Sequence, residues 1–200
     1  MTNKFGIIIL AAGSSSRLGR PKQLLRYKDQ SLLQHIVKIA LEAAIGPVVV
    51  VLGAEADLVR KELDEKKVIT VVNKDWQEGM GRSIRYGLEQ FKDRFSDAEG
   101  VIFTVCDQPF ITSKLLCELI AVHDQTKNPV IASVYENTNG TPAFFHRDIF
   151  PEILLLKADR GAKQIINNHK EHLGLVSFPK GSRDIDIESD YVQLLQNNQE

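Results

Sequence analysis

A cluster of small and cationic residues follows the first apolar run of the chain. The stretch 7–22 reads IIILAAGSSSRLGRPK and passes from apolar through small to positively charged residues. Small residues let the backbone approach a ligand closely, and exposed backbone N–H groups can cradle phosphate oxygens. Arg17 adds a guanidinium that can grip phosphate with two hydrogen bonds, and Lys22 adds an ammonium point charge. These residue types predict a polyphosphate cradle, and an ordinary loop with solvated cations is the alternative.

The cradle does not match the two commonest phosphate-binding motifs. A P-loop requires G-x-x-x-x-G-K-[ST], whereas Gly13 and Gly19 lie six positions apart and Gly19 is followed by Arg20 and Pro21. The dinucleotide fingerprint G-x-G-x-x-G is also absent. These mismatches disfavour a P-loop NTPase and a dinucleotide-dependent oxidoreductase, and they indicate a cradle of another type.

Three aspartates are candidate metal ligands. Asp107 follows an apolar run in VCDQPF, where the carboxyl end of a strand faces bound ligands. A carboxylate near phosphate needs a cation between them, and Mg²⁺ binds one or two carboxylates together with substrate phosphates. Asp184 and Asp186 alternate in RDIDI, so a short strand would point both the same way and one would complete the site. The alternatives are a turn cap for Asp107 and solvated strand ends for the later pair.

A second polar cluster lies in NKDWQEGMGRSIRYG. It places Asn73 at the end of a predicted strand and Ser83 near the start of a predicted helix, whose N-terminus favours an anion or a polar base edge. A loop with a helix cap is the alternative. The five histidines form no metal-ligand spacing such as H-E-x-x-H, and G-x-S-x-G is missing, which disfavours a serine hydrolase.

The composition narrows the class of protein. The 200 residues carry a net charge of −1, so no overall field attracts nucleic acid or anionic lipid. Cys106 and Cys117 form neither a disulfide framework nor a zinc pattern and are predicted to be reduced. No apolar run approaches the roughly 18 residues of a membrane span, and MTNKFG lacks the features of a signal peptide. We therefore expect a cytoplasmic protein whose partners include neither nucleic acid nor a membrane.

Alternating strands and helices are predicted to position these residues. Apolar runs that fit strands buried on both faces span 5–10, 47–53, 68–73, 100–106 and 128–135. Amphipathic helix patterns span 31–46, 55–66, 81–95 and 112–126, with Ser31 as the N-cap and Gly46 at the end of the first. This order predicts a three-layer α/β/α fold with a mostly parallel, doubly wound sheet.

The rhythm changes after residue 136. TPAFFH, DRGAKQIINNH, LGLVSF and SRDIDI predict small C-terminal mixed strands and a helix, which extend the sheet or form a subdomain over the site. We expect one domain over residues 1–200, with a nucleotide-binding half at 1–135 and acceptor-side elements at 136–192.

The quoted motifs together resemble a known family. LAAGSSSRLGRPKQLL is similar to the signature L-A-A-G-x-x-x-R-[ML]-G-x-x-K of the nucleotidyltransferase superfamily. WQEGMGRSI, VCDQPF, GTPAFF, DRGAKQII and DIDIESDY follow in the order of the molybdenum cofactor cytidylyltransferase branch of the MobA-like family, over about 5–191. LAAG, PKQLL and DQP resemble the cytidylyl rather than the guanylyl branch.

The resemblance implies a fold, a reaction and partners. The fold is that of the nucleotidyltransferases and nucleotide-diphospho-sugar transferases. The reaction transfers CMP from CTP to the terminal phosphate of the molybdenum-molybdopterin cofactor and releases pyrophosphate. Mg²⁺ is the implied cofactor, and a molybdoenzyme or its maturation factor is the implied protein partner. Guanylyl transfer, sugar- or polyol-phosphate nucleotidyl transfer and a non-catalytic molybdenum cofactor carrier are the alternatives.

The resemblance also assigns roles to residues. Arg17 and Lys22 would hold the triphosphate and form the catalytic set with Asp107, which would bind Mg²⁺. Asp186 would be the second metal ligand, with Asp184 as the alternative. The nucleotide-binding residues would be Leu10, Ala11, Ala12, Gly13, Ser14, Lys22, Asn73 and Ser83.

The sequence departs from the family pattern in four places. Leu18 stands where methionine is common, and Ala158 and Lys163 stand where glycine and arginine are usual. Residues 187–189, Ile-Glu-Ser, replace the usual Thr-Pro-Glu. The later departures concern the acceptor end of the site and not the nucleotide end.

Overall fold

The computed structural model describes residues 4–136 and 138–196. Within these residues, nine strands form a seven-stranded sheet and a two-stranded hairpin. The strands are β1 (Phe5–Ala11), β2 (Arg26–Tyr27), β3 (Gln30–Ser31), β4 (Val48–Leu52), β5 (Ile69–Val72), β6 (Gly100–Val105), β7 (Val130–Tyr135), β8 (Thr138–His146) and β9 (Leu173–Ser177). The helices are α1 (Leu32–Glu42), α2 (Ala56–Val59), α3 (Met80–Arg94), α4 (Ser113–Thr126), α5 (Phe150–Leu154), α6 (Ala162–Asn168) and α7 (Glu188–Gln196).

The main sheet has the strand order β5-β4-β1-β6-β8-β7-β9. Strands β5, β4, β1 and β6 pair in parallel, and β9 pairs in parallel with β7. Strand β8 runs antiparallel to both of its neighbours, β6 and β7. The predicted mostly parallel α/β sheet is therefore confirmed, and the late strands extend it. Strand β7 does not adjoin β6, because β8 is inserted between them.

The apolar character of β1 follows from its position between two cores. Ile7 and Ile9 belong to the cluster that contains residues of α1 and α4, whereas Ile8 and Leu10 belong to the cluster beneath α3, α5 and α6. Full burial of such a side chain contributes about 1.5–3 kcal/mol. Because both faces of the strand are covered, the sequence shows an unbroken apolar run and not an alternating one.

The first helix begins where the sequence predicts and ends earlier. The Ser31 hydroxyl accepts from the Gln34 backbone N–H, and the Gln34 side chain accepts from the Ser31 backbone N–H, which completes a capping box. The helix ends at Glu42 and not at Gly46, because Ala44 adopts a left-handed conformation with φ 52°.

Two other predicted elements differ from the structure. The helix expected over 55–66 is reduced to α2 and a 3-10 turn over Arg60–Glu62, because in these two short elements only Val59 is buried. The short strand expected in SRDIDI does not form. Its Ile185 N–H instead donates to the carbonyl oxygen of Asp107 at 2.9 Å, which ties the segment to the loop after β6.

Elements from both sides of residue 135 share the main sheet, since β8 lies between β6 and β7. The division into a nucleotide-binding half and acceptor-side elements stays a prediction. Among the described residues, no helix combines the length and apolar character needed to cross a bilayer.

Candidate active site

The site lies at the carboxyl ends of β1 and β6. These strands are parallel neighbours with Leu10 opposite Val105, so the loops that leave them emerge at the same edge of the sheet. A cavity of about 260 Å³ opens there. Its lining residues are Leu10, Ala11, Ala12, Gly13, Ser14, Lys22, Gln23, Trp76, Gln77, Gly79, Met80, Ser83, Val105, Cys106 and Asp107. Most of the predicted nucleotide-binding residues therefore line one cavity.

A buried glutamine shapes the loop after β1. The Gln23 amide Nε2 donates to the carbonyl oxygens of Ala11 and Gly13, both at 2.9 Å, and the side chain is 1% exposed. The Ser15 hydroxyl accepts from the Lys22 backbone N–H at 3.0 Å. With its carbonyls held by Gln23, the loop presents its other side to the cavity. Sequence reasoning missed Gln23, and its only signal was a polar residue between Lys22 and two leucines.

A lysine and two carboxylates form the charged centre of the site. The Lys22 ammonium donates to Asp107 Oδ2 at 2.7 Å, to Asp186 Oδ1 at 2.9 Å and to the Ile185 carbonyl oxygen at 3.1 Å. The side chain of Lys22 is 14% exposed. Burial alone lowers the pKa of Lys22, but the charges and hydrogen bonds of Asp107 and Asp186 raise it above its ordinary value. Lys22 is therefore a permanent cation.

The structure distinguishes the two late aspartates. The hydrogen bond from Lys22 holds the pKa of Asp186 below its ordinary value. Asp184 lines a neighbouring cavity, and its burial raises the pKa of its carboxyl group above the ordinary value. Because the predicted strand is absent, the two carboxylates lie in different environments. Asp186, and not Asp184, accepts a hydrogen bond from Lys22.

The two loop arginines lie outside the cavity lining. Arg17 contacts Asp186 Oδ2 at 3.2 Å, and its side chain is 75% exposed. Arg20 donates to both carboxylate oxygens of Glu188 at 2.7 and 2.8 Å and lies over the ring of Tyr191. Sequence reasoning placed Arg17 at the triphosphate and gave no partner to Arg20. The structure places both at the junction between the loop and the segment that leads into α7.

Asn73 does not line the cavity but contacts Ser83, which does. It is 1% exposed, and its amide Nδ2 donates to the Ser83 hydroxyl at 3.1 Å. Its own Oδ1 accepts from the Asp75 backbone N–H at 3.1 Å. Since the Ser83 oxygen accepts from Asn73, the Ser83 O–H can be donated to a ligand in the cavity. Asn73 thus orients a cavity residue and does not line the cavity itself.

The wall formed by α3 is tightly constrained. Gly79 has φ 126°, in the region that favours glycine. A Cβ added at Gly81 would overlap the carbonyl oxygen of Lys157, and the Gly81 N–H donates to Ala158 at 3.0 Å. The loop that starts at Lys157 therefore fixes the helix N-terminus beside the cavity.

The two carboxylates suit a divalent metal ion. Both lie within hydrogen-bond distance of the single Lys22 nitrogen, so their oxygens converge on one position. Their side chains are 21% and 43% exposed, which leaves space for water ligands. Within the described part of the chain, no group of three or more His, Cys, Asp or Glu side chains forms a metal site. Asp107 and Asp186 thus fit an ion such as Mg²⁺ that completes its shell with water and phosphate oxygens.

Cys106 is an inert neighbour of this centre. The thiol is buried, and burial raises its pKa to about 12. It is therefore protonated near neutral pH, which disfavours a role as a nucleophile.

Several curated proteins are similar to the chain in sequence. It is 30% identical over 148 residues to "Bifunctional protein GlmU" from Clostridioides difficile (strain 630), covering 72% of this chain but only 30% of that relative's length. It is 26% identical over 162 residues to "Probable molybdenum cofactor guanylyltransferase" from Bacillus mycoides (strain KBAB4), covering 80% of this chain and 78% of that protein.

Solved structures share the fold, and a family model matches most of the chain. Rv0371c from Mycobacterium tuberculosis H37Rv superposes with a TM-score of 0.84 and 28% identity, covering 98% of this chain and 99% of that chain. Its complex with manganese gives a TM-score of 0.80 and 27% identity, covering 96% and 98%. The family model described as "MobA-like NTP transferase domain" matches residues 7–173. The chain, with a mostly parallel sheet and a cavity at the carboxyl ends of β1 and β6, belongs to the MobA-like NTP transferase family.

Proposed function

We propose that this protein transfers CMP from CTP to the terminal phosphate of the molybdenum-molybdopterin cofactor and releases pyrophosphate. One observation carries the proposal: Lys22, Asp107 and Asp186 meet beside a cavity whose floor is the loop after β1. This arrangement combines a cation, two metal-type carboxylates and exposed backbone at one edge of the sheet. Such a combination suits a metal–triphosphate complex.

The reaction is an in-line displacement at phosphorus. A terminal phosphate oxygen of the acceptor attacks the α-phosphorus of CTP, a new P–O bond forms, and the bond to the β-phosphate oxygen breaks. Lys22 and Arg17 offset the negative charge on the phosphates. Asp107 and Asp186 would hold Mg²⁺, which neutralises charge on the phosphate oxygens when bound. The acceptor phosphate is already ionised near neutral pH, so the chain needs no general base.

The nucleoside end of CTP would lie along the loop after β1 and the start of α3. Leu10, Ala11, Ala12, Gly13 and Ser14 line the cavity, so their backbone is available to the nucleotide. The Ser83 hydroxyl, oriented by Asn73, is available to donate to a carbonyl group of the base. Such a contact would suit a nucleotide base in the cavity but would not distinguish cytosine from guanine, because both bases carry a carbonyl acceptor.

The choice of cytosine rests on the resemblance of LAAG, PKQLL and DQP to the cytidylyl branch. A relative named as a guanylyltransferase makes guanylyl transfer the second candidate. We further propose that the protein acts in the cytoplasm and that a molybdoenzyme or its maturation factor receives the product.

A pyrophosphate-release assay tests the proposal. CTP, GTP, ATP and UTP are each supplied with Mg²⁺ and with either molybdopterin cofactor or a sugar phosphate. We expect release with CTP and molybdopterin cofactor. Release with GTP alone would replace cytidylyl by guanylyl transfer, and release with a sugar phosphate alone would change the acceptor. No release with any pair would favour a non-catalytic carrier.

A further inference from the structure

All three hydrogens of the Lys22 ammonium are used within the protein. They are donated to Asp107, to Asp186 and to the Ile185 carbonyl oxygen. An ammonium group has three donors and no acceptor. Lys22 therefore has no remaining donor for a phosphate oxygen, and it can contact a triphosphate only after it gives up at least one of these bonds.

The same carboxylate oxygens are the ones that a divalent cation would need. Asp107 Oδ2 and Asp186 Oδ1 lie 2.7 and 2.9 Å from the Lys22 nitrogen. A magnesium ion requires oxygens at about 2.0–2.1 Å and therefore a position between them. An ammonium and a metal ion cannot both occupy that position.

The charges in direct contact with one another cancel. Asp186 also contacts Arg17, so two carboxylates face one ammonium and one guanidinium. Because the ammonium and the guanidinium offset the charge of Asp107 and Asp186, a divalent cation without phosphate is attracted less strongly than it would be by these two carboxylates alone. A triphosphate that arrives with the metal brings compensating negative charge and offers Lys22 new acceptors.

We propose that, in the nucleotide-free protein, the Lys22 ammonium takes the place of the divalent cation between Asp107 and Asp186. Metal and triphosphate then bind as one complex, and Lys22 moves from the carboxylates to the phosphates. This inference builds on the proposed function, because it assigns to Lys22 a second role as the internal competitor of the metal. The protein by itself binds the metal weakly, and removal of Lys22 increases its affinity for metal.

Titration of Mn²⁺ into the full chain without nucleotide tests this inference, with electron paramagnetic resonance reporting the unbound metal. Lys22→Met keeps most of the side-chain volume and removes the charge. We expect it to bind Mn²⁺ about tenfold or more tightly than the wild type, because apparent affinity scales with the fraction of molecules in which the site is vacated. The same variant should lose about 10²–10³ in turnover, because its phosphate contact is gone.

Two controls locate the effect. Lys4→Met removes a lysine that pairs with Glu99 on the surface, and it should leave Mn²⁺ affinity unchanged. Combination of Lys22→Met with Asp107→Asn should abolish the gain, because the metal then lacks one of its two carboxylates. Lys22→Gln serves as a second neutral variant. The rise in unfolding temperature caused by Mn²⁺ provides a second readout, and this rise should be larger in both neutral variants than in the wild type.

Equal Mn²⁺ affinity in wild type and both neutral variants would overturn the inference, as would a gain that persists without Asp107. These outcomes are separate from the fate of the proposed function. If the wild type releases pyrophosphate but Lys22→Met binds Mn²⁺ no more tightly, the proposed function stands and the proposed competition between Lys22 and the metal is wrong. If Lys22→Met binds Mn²⁺ more tightly but the wild type releases no pyrophosphate, the competition between Lys22 and the metal stands and the proposed reaction is wrong.

Discussion

Lys22 and Gln23 are adjacent in the sequence, and their side chains contact different parts of the site. Lys22 reaches outward to Asp107 and Asp186, whereas Gln23 turns inward to the carbonyl oxygens of Ala11 and Gly13. The Lys22 backbone N–H donates to the Ser15 hydroxyl at 3.0 Å. One short segment therefore links the charged centre to the floor of the cavity.

We expect Gln23→Met to weaken triphosphate binding about tenfold or more, because displacement of a positioning group by about 1 Å has large effects on a bound reactant. The Michaelis constant for the triphosphate should rise more than the turnover number falls. Ser133→Ala is the matched control, since its buried hydroxyl donates to the Pro142 carbonyl oxygen at 2.7 Å, away from the cavity. Equal loss of stability with an unchanged Michaelis constant in both variants would reduce Gln23 to a structural residue.

The two late aspartates should respond to pH in opposite ways. The pKa of Asp186 is lowered from 3.8, so its contribution to stability is present above that value and is lost as pH falls through the folded pKa. The pKa of Asp184 is raised from 3.8, so its ionisation opposes folding as pH rises through the folded pKa. In urea unfolding at pH 7, Asp186→Asn should be less stable than the wild type and Asp184→Asn at least as stable. The reverse order would contradict this assignment.

Helix α3 owes its position to glycines at its start. Its N-terminus lines the cavity through Gly79, Met80 and Ser83. The loop that begins at Lys157 packs so closely that a Cβ at Gly81 would overlap its backbone carbonyl oxygens. At this point the demands of packing oppose intrinsic helix propensity, which favours alanine over glycine.

Gly81→Ala should therefore destabilise the protein by about 1–3 kcal/mol, because overpacking against a backbone carbonyl outweighs the gain of about 1 kcal/mol in helix propensity. Asp93→Ala, at an exposed position of the same helix, should be neutral or slightly stabilising. Urea denaturation measures both. Stabilisation by Gly81→Ala would show that the loop moves aside at little cost.

In the whole molecule, the charged centre brings residues from near both ends of the chain to Asp107. Lys22 and Asp186 are separated by 164 residues. Arg20 contacts Glu188, and the Tyr191 hydroxyl donates to the Arg26 carbonyl oxygen at 2.9 Å. Binding of a ligand to the loop after β1 should therefore stabilise the C-terminal segment and the folded state of the whole domain.

Addition of CTP and Mg²⁺ together should raise the unfolding temperature by about 5–10 °C at a concentration 100 times the dissociation constant, because a ligand that binds only the folded state stabilises it by about 2.7 kcal/mol. Mg²⁺ alone should produce a much smaller shift, since the ammonium occupies its position. Thermal unfolding with each ligand and with both measures the difference. Equal shifts with Mg²⁺ alone and with both ligands would contradict joint binding.

The strand and helix alternation could be predicted because a parallel strand covered on both faces must be apolar along its length, as β1 and β4 are. The family resemblance could be recognised from local motifs, because the functional residues of a loop such as LAAGSSSRLGRPK are consecutive in the sequence. These features depend on neighbours in the chain, so the sequence alone determined them.

The tertiary structure decided which distant groups meet. Local patterns do not encode the insertion of β8 between β6 and β7, the burial of Gln23, or the contact of Lys22 with Asp186. The contact of Lys22 with Asp186 and not with Asp184 accompanies the backbone hydrogen bond from Ile185 to Asp107, which replaces the expected strand. Contacts between residues far apart in the sequence arise only when the sheet and its covering helices pack, and no periodicity within one segment predicts them.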